Sequence, residues 1–471
     1  MPHQTHTHPS PNSITAHKDF DDTAQATGSE TPDMLLDTIS LYLHIPFCHA
    51  KCHYCDFNSY AGMLGLRERY VAALIDEIRL SGSQARLPNG QPRRCRTIFL
   101  GGGTPSLLTS EQVSAILSAA RDAFAVDADA EITLEANPGT LEYGHLDELR
   151  AVGVNRLSMG AQSFDPALLR WMGRIHSPQE IETAFQSARG AGFSSVNLDF
   201  IYALPGQSLD TWSATLDRAL ALAPEHLSLY SLIVEEGTPL FRWVEQGRVQ
   251  PADEDIAADM YELAQARLAQ AGYHHYEISN WALPGHECRH NLTYWHNLPY
   301  IGLGAGAHGS YAHQRYSEAR PIHDYIARVQ ATAASRIPCE DIHQHQLGVL
   351  RRSRLSMAEP VIQWQFSPKL PAAATVELED ISNKLEMAET AILGLRLVDG
   401  LDLRAFERRF GRAFEHVFGA QLSEVRSYGL LETQGDRLRL TERGRLLGNE
   451  VFERLLPEET TTPAQGEQAG A

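Results

Sequence analysis

Three cysteines near the N-terminal end of the chain, Cys48, Cys52 and Cys55, stand four and three residues apart. Thiolates at these spacings can each bind one iron of a [4Fe-4S] cube and leave the fourth iron without a protein ligand. Ferredoxin-type clusters that carry electrons use four cysteines, so an open iron indicates substrate chemistry at the metal. S-adenosyl-L-methionine can chelate that iron through its amino and carboxylate groups. An electron passed from the cluster into its sulfonium then breaks a carbon–sulfur bond and gives a 5′-deoxyadenosyl radical.

A zinc site is the alternative interpretation of the same cysteines. Zinc takes four Cys or His ligands with two to four residues between the members of each pair, and His44, His49 and His53 could supply the fourth. Zinc leaves the glycine motif that begins at Gly101 unexplained. The pattern therefore favours the iron–sulfur cluster.

Composition excludes several other classes of protein. The formal net charge of −19 opposes general binding of nucleic acid, because phosphate contacts need an excess of Lys and Arg. The chain has no run of 18 apolar residues that would predict a transmembrane helix. The remaining cysteines, Cys95, Cys288 and Cys339, are widely scattered, and six cysteines in 471 residues fit a reducing compartment. We therefore expect a cytoplasmic protein with neither a membrane span nor nucleic acid as a partner.

Short apolar strands alternate with helices from Thr38 onward, which predicts a parallel sheet with helices outside. Helices are predicted at Leu66–Leu80 and Ser110–Phe124, the second starting with a capping box formed by Thr109 and Gln112. The six strands are predicted at Ser40–Ile45, Thr97–Leu100, Ile132–Ala136, Arg156–Met159, Val196–Ile201 and His226–Leu232. Six such units predict an α/β fold, a partial (βα)6 TIM-like barrel open at one side. Its chemistry should lie at the carboxyl ends of the strands.

Candidate site residues do follow these strands. Three glycines, Gly101–Gly103, follow the second strand and would let the backbone approach a ligand closely, although a tight turn needs glycines too. Glu135 ends the third strand and could accept ribose hydroxyls, although a lone acid is more often solvated. Gln162 and Arg174 bracket the fourth unit. Asp199 lies within the apolar fifth strand, where a charge should face a partner or a ligand.

The length of the chain predicts more than one domain. A Gln-Gly-Asp turn between two strands, within a series of helices, predicts a winged-helix-like α+β domain after Ile381. Its twelve basic and twelve acidic side chains favour a lid or docking module over DNA binding. The expected segments are a disordered tail at 1–37, a barrel core at 38–280, a connecting region at 281–350, an irregular linker or excursion at 351–380, the C-terminal domain at 381–456, and a disordered tail at 457–471.

The order of the motifs CxxxCxxC, Gly101-Gly-Gly-Thr-Pro105 and Glu135-Ala-Asn-Pro resembles the radical S-adenosylmethionine superfamily. From about Leu41 to the C-terminus the chain is similar to its coproporphyrinogen oxidase branch. This resemblance implies a [4Fe-4S] cluster on the three cysteines and S-adenosyl-L-methionine as cofactor. It also implies a set of cofactor-contacting residues, namely Tyr42, Gly102, Gly103, Thr104, Glu135, Gln162, Arg174 and Asp199, with Ile233 and His308 near such positions.

Two departures from the oxygen-independent oxidases narrow the resemblance. Those enzymes carry a further cysteine two residues after the third, where this chain has Phe57. They also carry an N-terminal segment that closes over the porphyrinogen, and the N-terminal tail of this chain does not resemble it. The chain instead has His290-Asn-Leu-Thr-Tyr294-Trp295, the HNxxYW motif of the HemW-type heme chaperones. The segments Gly394–Leu401 and Leu440–Asn449 also look like that family.

The HNxxYW motif suits heme chemically. A neutral imidazole is a good axial ligand for heme iron, and aromatic rings can cover a porphyrin face. His290, Tyr294 and Trp295 could share a surface if this segment is helical. Cys288 is a rival thiolate ligand, and the alternative is that the histidine and the aromatic rings are packed core. With the resemblance, the motif favours heme, with His290 as its ligand.

The resemblance to the HemW-type chaperones implies a protein that binds heme and delivers it to apo-hemoproteins. It further implies a low-potential electron donor such as flavodoxin or ferredoxin, and a homodimer is a further option. An oxygen-independent coproporphyrinogen III oxidase-type enzyme is the main alternative, and an iron–sulfur sensor is a third. We do not expect coproporphyrinogen oxidase activity.

Overall fold

The computed structural model of the chain describes residues 36–335, 350–352 and 372–457. Cys339, nearly all of the predicted tails at 1–37 and 457–471, and most of the irregular region predicted at 351–380 lie outside these residues. In the part described, no helix is both long and apolar enough to cross a membrane.

Strands and helices alternate through most of the chain. The strands are β1 (Ile39–Ile45), β2 (Phe47–Cys48), β3 (Tyr60–Ala61), β4 (Arg94–Gly102), β5 (Ala125–Ala136), β6 (Arg156–Gln162), β7 (Val196–Tyr202), β8 (His226–Ser231), β9 (His274–Glu277), β10 (Asn280–Ala282), β11 (Tyr300–Leu303), β12 (His308–Tyr311), β13 (Gln314–Glu318), β14 (Leu350–Arg352), β15 (Thr375–Asp380), β16 (Leu401–Asp402), β17 (Leu431–Gln434) and β18 (Arg437–Leu440). The α-helices are α1 (Arg67–Gln84), α2 (Ser110–Ala123), α3 (Tyr143–Ala151), α4 (Pro166–Trp171), α5 (Pro178–Gly190), α6 (Leu209–Leu222), α7 (Pro239–Glu245), α8 (Glu254–Gln270), α9 (Arg289–Trp295), α10 (Ile322–Ser335), α11 (Asn383–Leu395), α12 (Leu403–Phe410), α13 (Phe414–Ser427), α14 (Glu442–Leu446) and α15 (Gly448–Leu455).

The six predicted strands are confirmed as parallel neighbours in the order β1, β4, β5, β6, β7, β8. Seven more strands extend this sheet to thirteen. Strand β11 pairs in parallel with β1, antiparallel strands continue beyond it, and β10 and β9 extend the other edge antiparallel to β8. The sequence analysis missed these additions, because they are short and lack the apolar run of a strand buried on both faces.

The helices cover the sheet as the alternation predicts. Helix α2 starts with the predicted capping box, in which Thr109 and Gln112 exchange hydrogen bonds with each other's backbone N–H groups. It packs against α1 at Gly82, where a Cβ atom would lie only 2.5 Å from the Cβ atom of Ala123. Leu41, Leu100 and most other apolar residues of the six parallel strands are buried, so the sheet is a packed frame for the loops at its carboxyl end.

A second hydrophobic core belongs to the C-terminal residues. Helices α11–α15 surround a three-stranded sheet in the order β16-β18-β17, and β17 and β18 form the hairpin predicted for a winged-helix-like module. Arg409 of α12 donates hydrogen bonds to the backbone carbonyls of His296 and Asn297. The C-terminal module is therefore attached to the segment that follows α9.

Candidate cofactor site

Cys48 ends the short strand β2 just after β1, Cys52 and Cys55 lie on the loop that follows, and each of the three is half-buried. Thr104 Oγ1 lies 3.5 Å from the Sγ atom of Cys48, and Arg174 Nη1 lies 3.5 Å from the Sγ atom of Cys52. Three half-buried thiols within eight residues are a donor set that suits an iron–sulfur cluster.

Two of the three histidines that could have completed a zinc site make other hydrogen bonds. His44 accepts from the hydroxyl of Tyr42 at Nδ1 (3.0 Å) and donates from Nε2 to the carbonyl of Asn58 (2.9 Å), and burial lowers its pKa to about 4. His53 Nδ1 bonds to the carbonyl of Trp171 at 2.8 Å. No three His, Cys, Asp or Glu side chains within residues 36–335, 350–352 and 372–457 are arranged to hold a single metal ion. The hydrogen bonds of His44 leave neither of its ring nitrogens free for zinc.

The glycine motif approaches the cysteine loop closely. Gly102 has φ +113°, and a Cβ atom there would lie 2.4 Å from the ring of His44. A Cβ atom on Gly103 would lie 2.6 Å from the carbonyl oxygen of Phe47. The backbone N–H groups of Gly103 and Thr104 donate to the carbonyls of Ile45 and Phe47. These glycines are needed because β4 and the cysteine loop run against each other here.

Two partly buried carboxyl groups follow, one near the carboxyl end of β5 and one within β7. Glu135 accepts a hydrogen bond of 2.9 Å from the backbone N–H of Gly102, and burial raises its pKa to about 7. Asp199 accepts from Asn197 (2.7 Å) and Ser158 (3.0 Å), and its pKa is also raised by burial. Neighbouring side chains therefore supply the partners that a charge inside an apolar strand requires.

Arg174 links the cysteine loop to strand β6. Its Nη2 atom donates to the carbonyl of Gly160 at 2.6 Å, and its Nε atom is buried without a hydrogen-bond partner. Gln162 has φ +66° at the end of β6, where the register shifts. A Cβ atom on Gly160 would lie 2.8 Å from the Nε2 atom of Gln162. The structure thus brings Gln162, Arg174 and Cys52 together, with one donor of Arg174 unused.

Ile233 and His308, the last two predicted cofactor contacts, lie at the protein surface. Ile233 follows β8 with 66% of its surface exposed. His308 starts β12 and is exposed. Their predicted contacts with a cofactor stay predictions.

The HNxxYW segment forms helix α9, which Glu131 holds at its N-terminus. The carboxylate of Glu131 accepts the backbone N–H groups of Arg289 (3.0 Å) and His290 (2.9 Å), and the thiol of Cys288. A carboxylate at this end of a helix satisfies donors that lack partners within the helix. Glu131 therefore fixes where α9 begins.

His290 points into the protein and is only 1% exposed. Its Nδ1 atom bonds to Thr97 Oγ1 at 2.7 Å, and its Nε2 atom bonds to the hydroxyl of Tyr294 at 2.9 Å. Its ring stacks on Phe99 with centroids 5.0 Å apart. Both nitrogens are occupied, so His290 cannot ligate iron in this conformation. Cys288 is fully buried, and burial raises its pKa to about 12, so it is no more available as a thiolate.

Trp295 lies on a different side of α9 from His290. The Arg396 guanidinium covers its ring at 4.6 Å from the centroid, and its indole N–H is buried without a partner. Residues four apart share a helix face, whereas residues five apart diverge by more than a quarter turn. The expectation of one shared surface therefore holds for His290 and Tyr294 and is wrong for Trp295.

The sequence of the chain matches known protein families. Residues 42–219 match the radical SAM superfamily model, and residues 381–447 match the HemN C-terminal domain model. The heme chaperone HemW of Bacillus subtilis is 35% identical over 420 residues, which cover 89% of this chain and 99% of that protein. The chain belongs to the HemW family. The HemW protein of Mycobacterium tuberculosis is 37% identical, over 88% of this chain and 94% of its own.

A solved structure agrees on the fold of this HemW-family chain. The coproporphyrinogen III oxidase of Escherichia coli, described as a radical SAM enzyme, covers 91% of both chains with a TM-score of 0.70 and 24% identity. That identity supports the architecture alone. The predicted radical SAM barrel with a smaller C-terminal domain is confirmed.

Sequence reasoning missed the residues that hold α9 in place. Thr97, Phe99 and Glu131 contact the motif from strands β4 and β5. A signal was present, because Glu131, Thr133 and Glu135 alternate along β5 and residues two apart face the same side of a sheet. Two acids and a threonine on one face of a buried strand indicate a polar interior.

Proposed function

We propose that this protein is a heme chaperone that binds heme and hands it to apo-hemoproteins. The observation that carries the proposal is the match to proteins named heme chaperone HemW along nearly their whole length. The oxidase alternative has no comparable support, and Phe57 stands where the resembling oxidases have a further cysteine.

The proposal includes a [4Fe-4S] cluster on Cys48, Cys52 and Cys55. When bound, the cluster and S-adenosyl-L-methionine supply one-electron chemistry. The donor set fits, since three half-buried thiols lie within eight residues and a guanidinium lies beside one of them. Arg174 would lie beside the cluster at Cys52, and Lys51 would fix the loop through its 2.7 Å bond to the carbonyl of Phe57.

S-adenosyl-L-methionine would lie over the carboxyl ends of the strands. Glu135 and Asp199 would accept its hydroxyl groups, and the free donor on Arg174 would meet one of its acceptors. Tyr42 would position His44 beneath the glycine loop through their 3.0 Å hydrogen bond. The remaining candidate contacts are Gly102, Gly103, Thr104, Gln162, Ile233 and His308.

The proposed partners are heme, apo-hemoprotein acceptors and a low-potential donor such as flavodoxin or ferredoxin, with a homodimer as an option. The cytoplasmic location stays a proposal that rests on the cysteine content. His290 could serve as heme ligand only after α9 opens and breaks both of its hydrogen bonds.

The test is heme binding and transfer by the full chain with its cluster reconstituted anaerobically. We expect a Soret band to appear when the chain is titrated with heme. The bound heme should then transfer to an apo-hemoprotein such as apomyoglobin at a higher rate than free heme from the buffer does. Coproporphyrinogen III should remain unchanged in the same mixture with a reductant. A chain that binds no heme, or that decarboxylates coproporphyrinogen with turnover, would overturn the proposal.

A further inference from the structure

A chain of hydrogen bonds runs through the interior of the barrel behind Asp199. The register of the parallel strands β6, β7 and β8 brings its members side by side, because Ser158 pairs with Asn197 and Asn197 pairs with His226. Asp199 lies two residues further along β7, so it faces the same side of the sheet as Asn197 and lies nearer the carboxyl end. Ser158, Asn197 and His226 are buried, whereas Asp199 is partly exposed. The buried residues therefore act on a bound ligand through Asp199.

The direction of each hydrogen bond follows from the chemistry of Asp199. An ionised carboxylate can only accept, so the Asn197 atom 2.7 Å from Asp199 Oδ1 is the amide nitrogen. The amide oxygen of Asn197 therefore faces His226, and Nδ1 of His226 donates to it at 2.7 Å. Burial, with the nearby charge of Arg156, lowers the pKa of His226 well below its usual range and keeps the ring neutral. Its Nε2 atom then accepts from the hydroxyl of Tyr276, 2.8 Å away. Every bond of the chain thus donates toward the carboxylate.

Ser158 adds a second donor to Asp199 from the neighbouring strand. The Nδ2 atom of Asn197 also donates to Ser158 Oγ at 2.7 Å, and Ser158 Oγ donates to Asp199 Oδ2 at 3.0 Å. Both oxygens of Asp199 are thereby held, which fixes the plane of its carboxylate. Burial raises the pKa of Asp199, and these hydrogen bonds, with the charge of Arg156, oppose that rise. A carboxylate can accept about four hydrogen bonds, so acceptor sites remain for a ligand.

We propose that His226 and Asn197 are positioning residues for S-adenosyl-L-methionine, which hold the Asp199 carboxylate in the orientation and the charge state that accept the hydroxyl groups of the cofactor. This inference rests on the proposed function, in which Asp199 contacts the cofactor, and names two further residues on which that contact depends. Without the chain, the carboxyl group would take up a proton more readily, and one of its oxygens would change from an acceptor to a donor.

The test is a double-mutant cycle on the full chain with its cluster reconstituted anaerobically, in which calorimetry measures the binding of S-adenosyl-L-methionine. His226→Leu removes the donor to Asn197 and should weaken binding about three- to tenfold. The same change in an Asp199→Ala background should have no further effect, because His226 acts through Asp199. His226→Asn supplies an amide that can donate in place of Nδ1, so it should restore most of the affinity.

His275→Leu is the matched control. His275 is a half-buried histidine on β9, where its Nε2 atom bonds to the carbonyl of Ile278 at 3.2 Å. Neighbouring residues of a strand face opposite sides, so its ring lies away from Tyr276. This variant removes a hydrogen-bonded imidazole outside the chain and should bind the cofactor as the wild type does.

Asn197→Asp adds a measurement that a loss of packing would not change. Two carboxyl groups in contact cannot both ionise readily, so the new pair should keep a proton at pH 7 and bind the cofactor about tenfold or more weakly than the wild type. The ratio of the two affinities should shrink as the pH rises to 9, because the shared proton is lost. The other groups that face this pair are the same in both proteins, so the ratio isolates the substitution; they are His226, Arg156, Glu135 and Tyr230.

The outcomes separate this inference from the proposed function. A wild type that binds no S-adenosyl-L-methionine, or an Asp199→Ala variant that binds it as tightly as the wild type, would defeat the cofactor site itself. If Asp199→Ala weakens binding while His226→Leu does not, or if His226→Leu weakens it equally in both backgrounds, the positioning role alone is wrong. Asn197→Asp carries the test if His226→Leu does not fold, and a ratio of affinities that stays constant from pH 7 to 9 would contradict the proposal.

Discussion

The hydrogen bonds between Glu131 and the N-terminus of helix α9 lead to a quantitative prediction for the local stability of that helix. Replacing Glu131 with Ala removes the acceptor for the backbone N–H groups of Arg289 and His290. Leaving a buried donor without a partner costs about 1–3 kcal/mol, so two such donors cost about 2 kcal/mol or more, even if water replaces part of the loss. A helix of seven residues has little stability of its own, so this cost should appear as local opening.

Native-state hydrogen exchange measures that opening residue by residue. In Glu131→Ala the amides of α9 should exchange about thirtyfold faster or more, which corresponds to 2 kcal/mol, while those of the sheet keep their protection. Glu142→Ala is the matched control, because Glu142 precedes α3 as its N-cap without making a capping hydrogen bond. Unchanged protection of α9 in Glu131→Ala would refute the role given to the carboxylate.

Three other predictions concern the cofactor site. Cys52→Ala should lose the iron and the cluster absorbance of the reconstituted chain, whereas Cys95→Ala, which changes a cysteine buried in the core, should keep both. Full iron content in Cys52→Ala would show that these cysteines do not hold the cluster. Asp199→Ala should weaken S-adenosyl-L-methionine binding about ten- to a hundredfold in calorimetry with the iron content intact, and equal affinity would move the cofactor elsewhere. Burial raises the pKa of Glu135 to about 7, so between pH 4.5 and 7 the folded chain keeps a proton that the unfolded chain has lost. The free energy of unfolding of the cluster-free wild type, measured relative to Glu135→Gln, should therefore fall by about 3 kcal/mol over this range and stay level above it. Urea midpoints of the two proteins that run parallel across this range would contradict it.

The sequence by itself determined the features that depend on neighbours along the chain. The six parallel strands follow from short apolar runs between amphipathic helices, and the start of α2 follows from Thr109 and Gln112 three residues apart. The cysteine motif is local in the same way, because Cys48, Cys52 and Cys55 lie within eight residues of the chain. Local spacing and periodicity are sufficient for such elements.

The tertiary structure alone decided how the HNxxYW segment is used. Its sequence shows an imidazole beside two aromatic rings, which suits a metal ligand and a packed core equally well. The answer depends on Thr97, 193 residues away along the chain, and on Glu131, 159 residues away, which occupy the imidazole of His290 and the start of α9. The same long-range packing leaves His296 facing a cavity beside residues of the C-terminal module. No local pattern encodes these contacts, because they form only when the sheet and the second core meet in the folded chain.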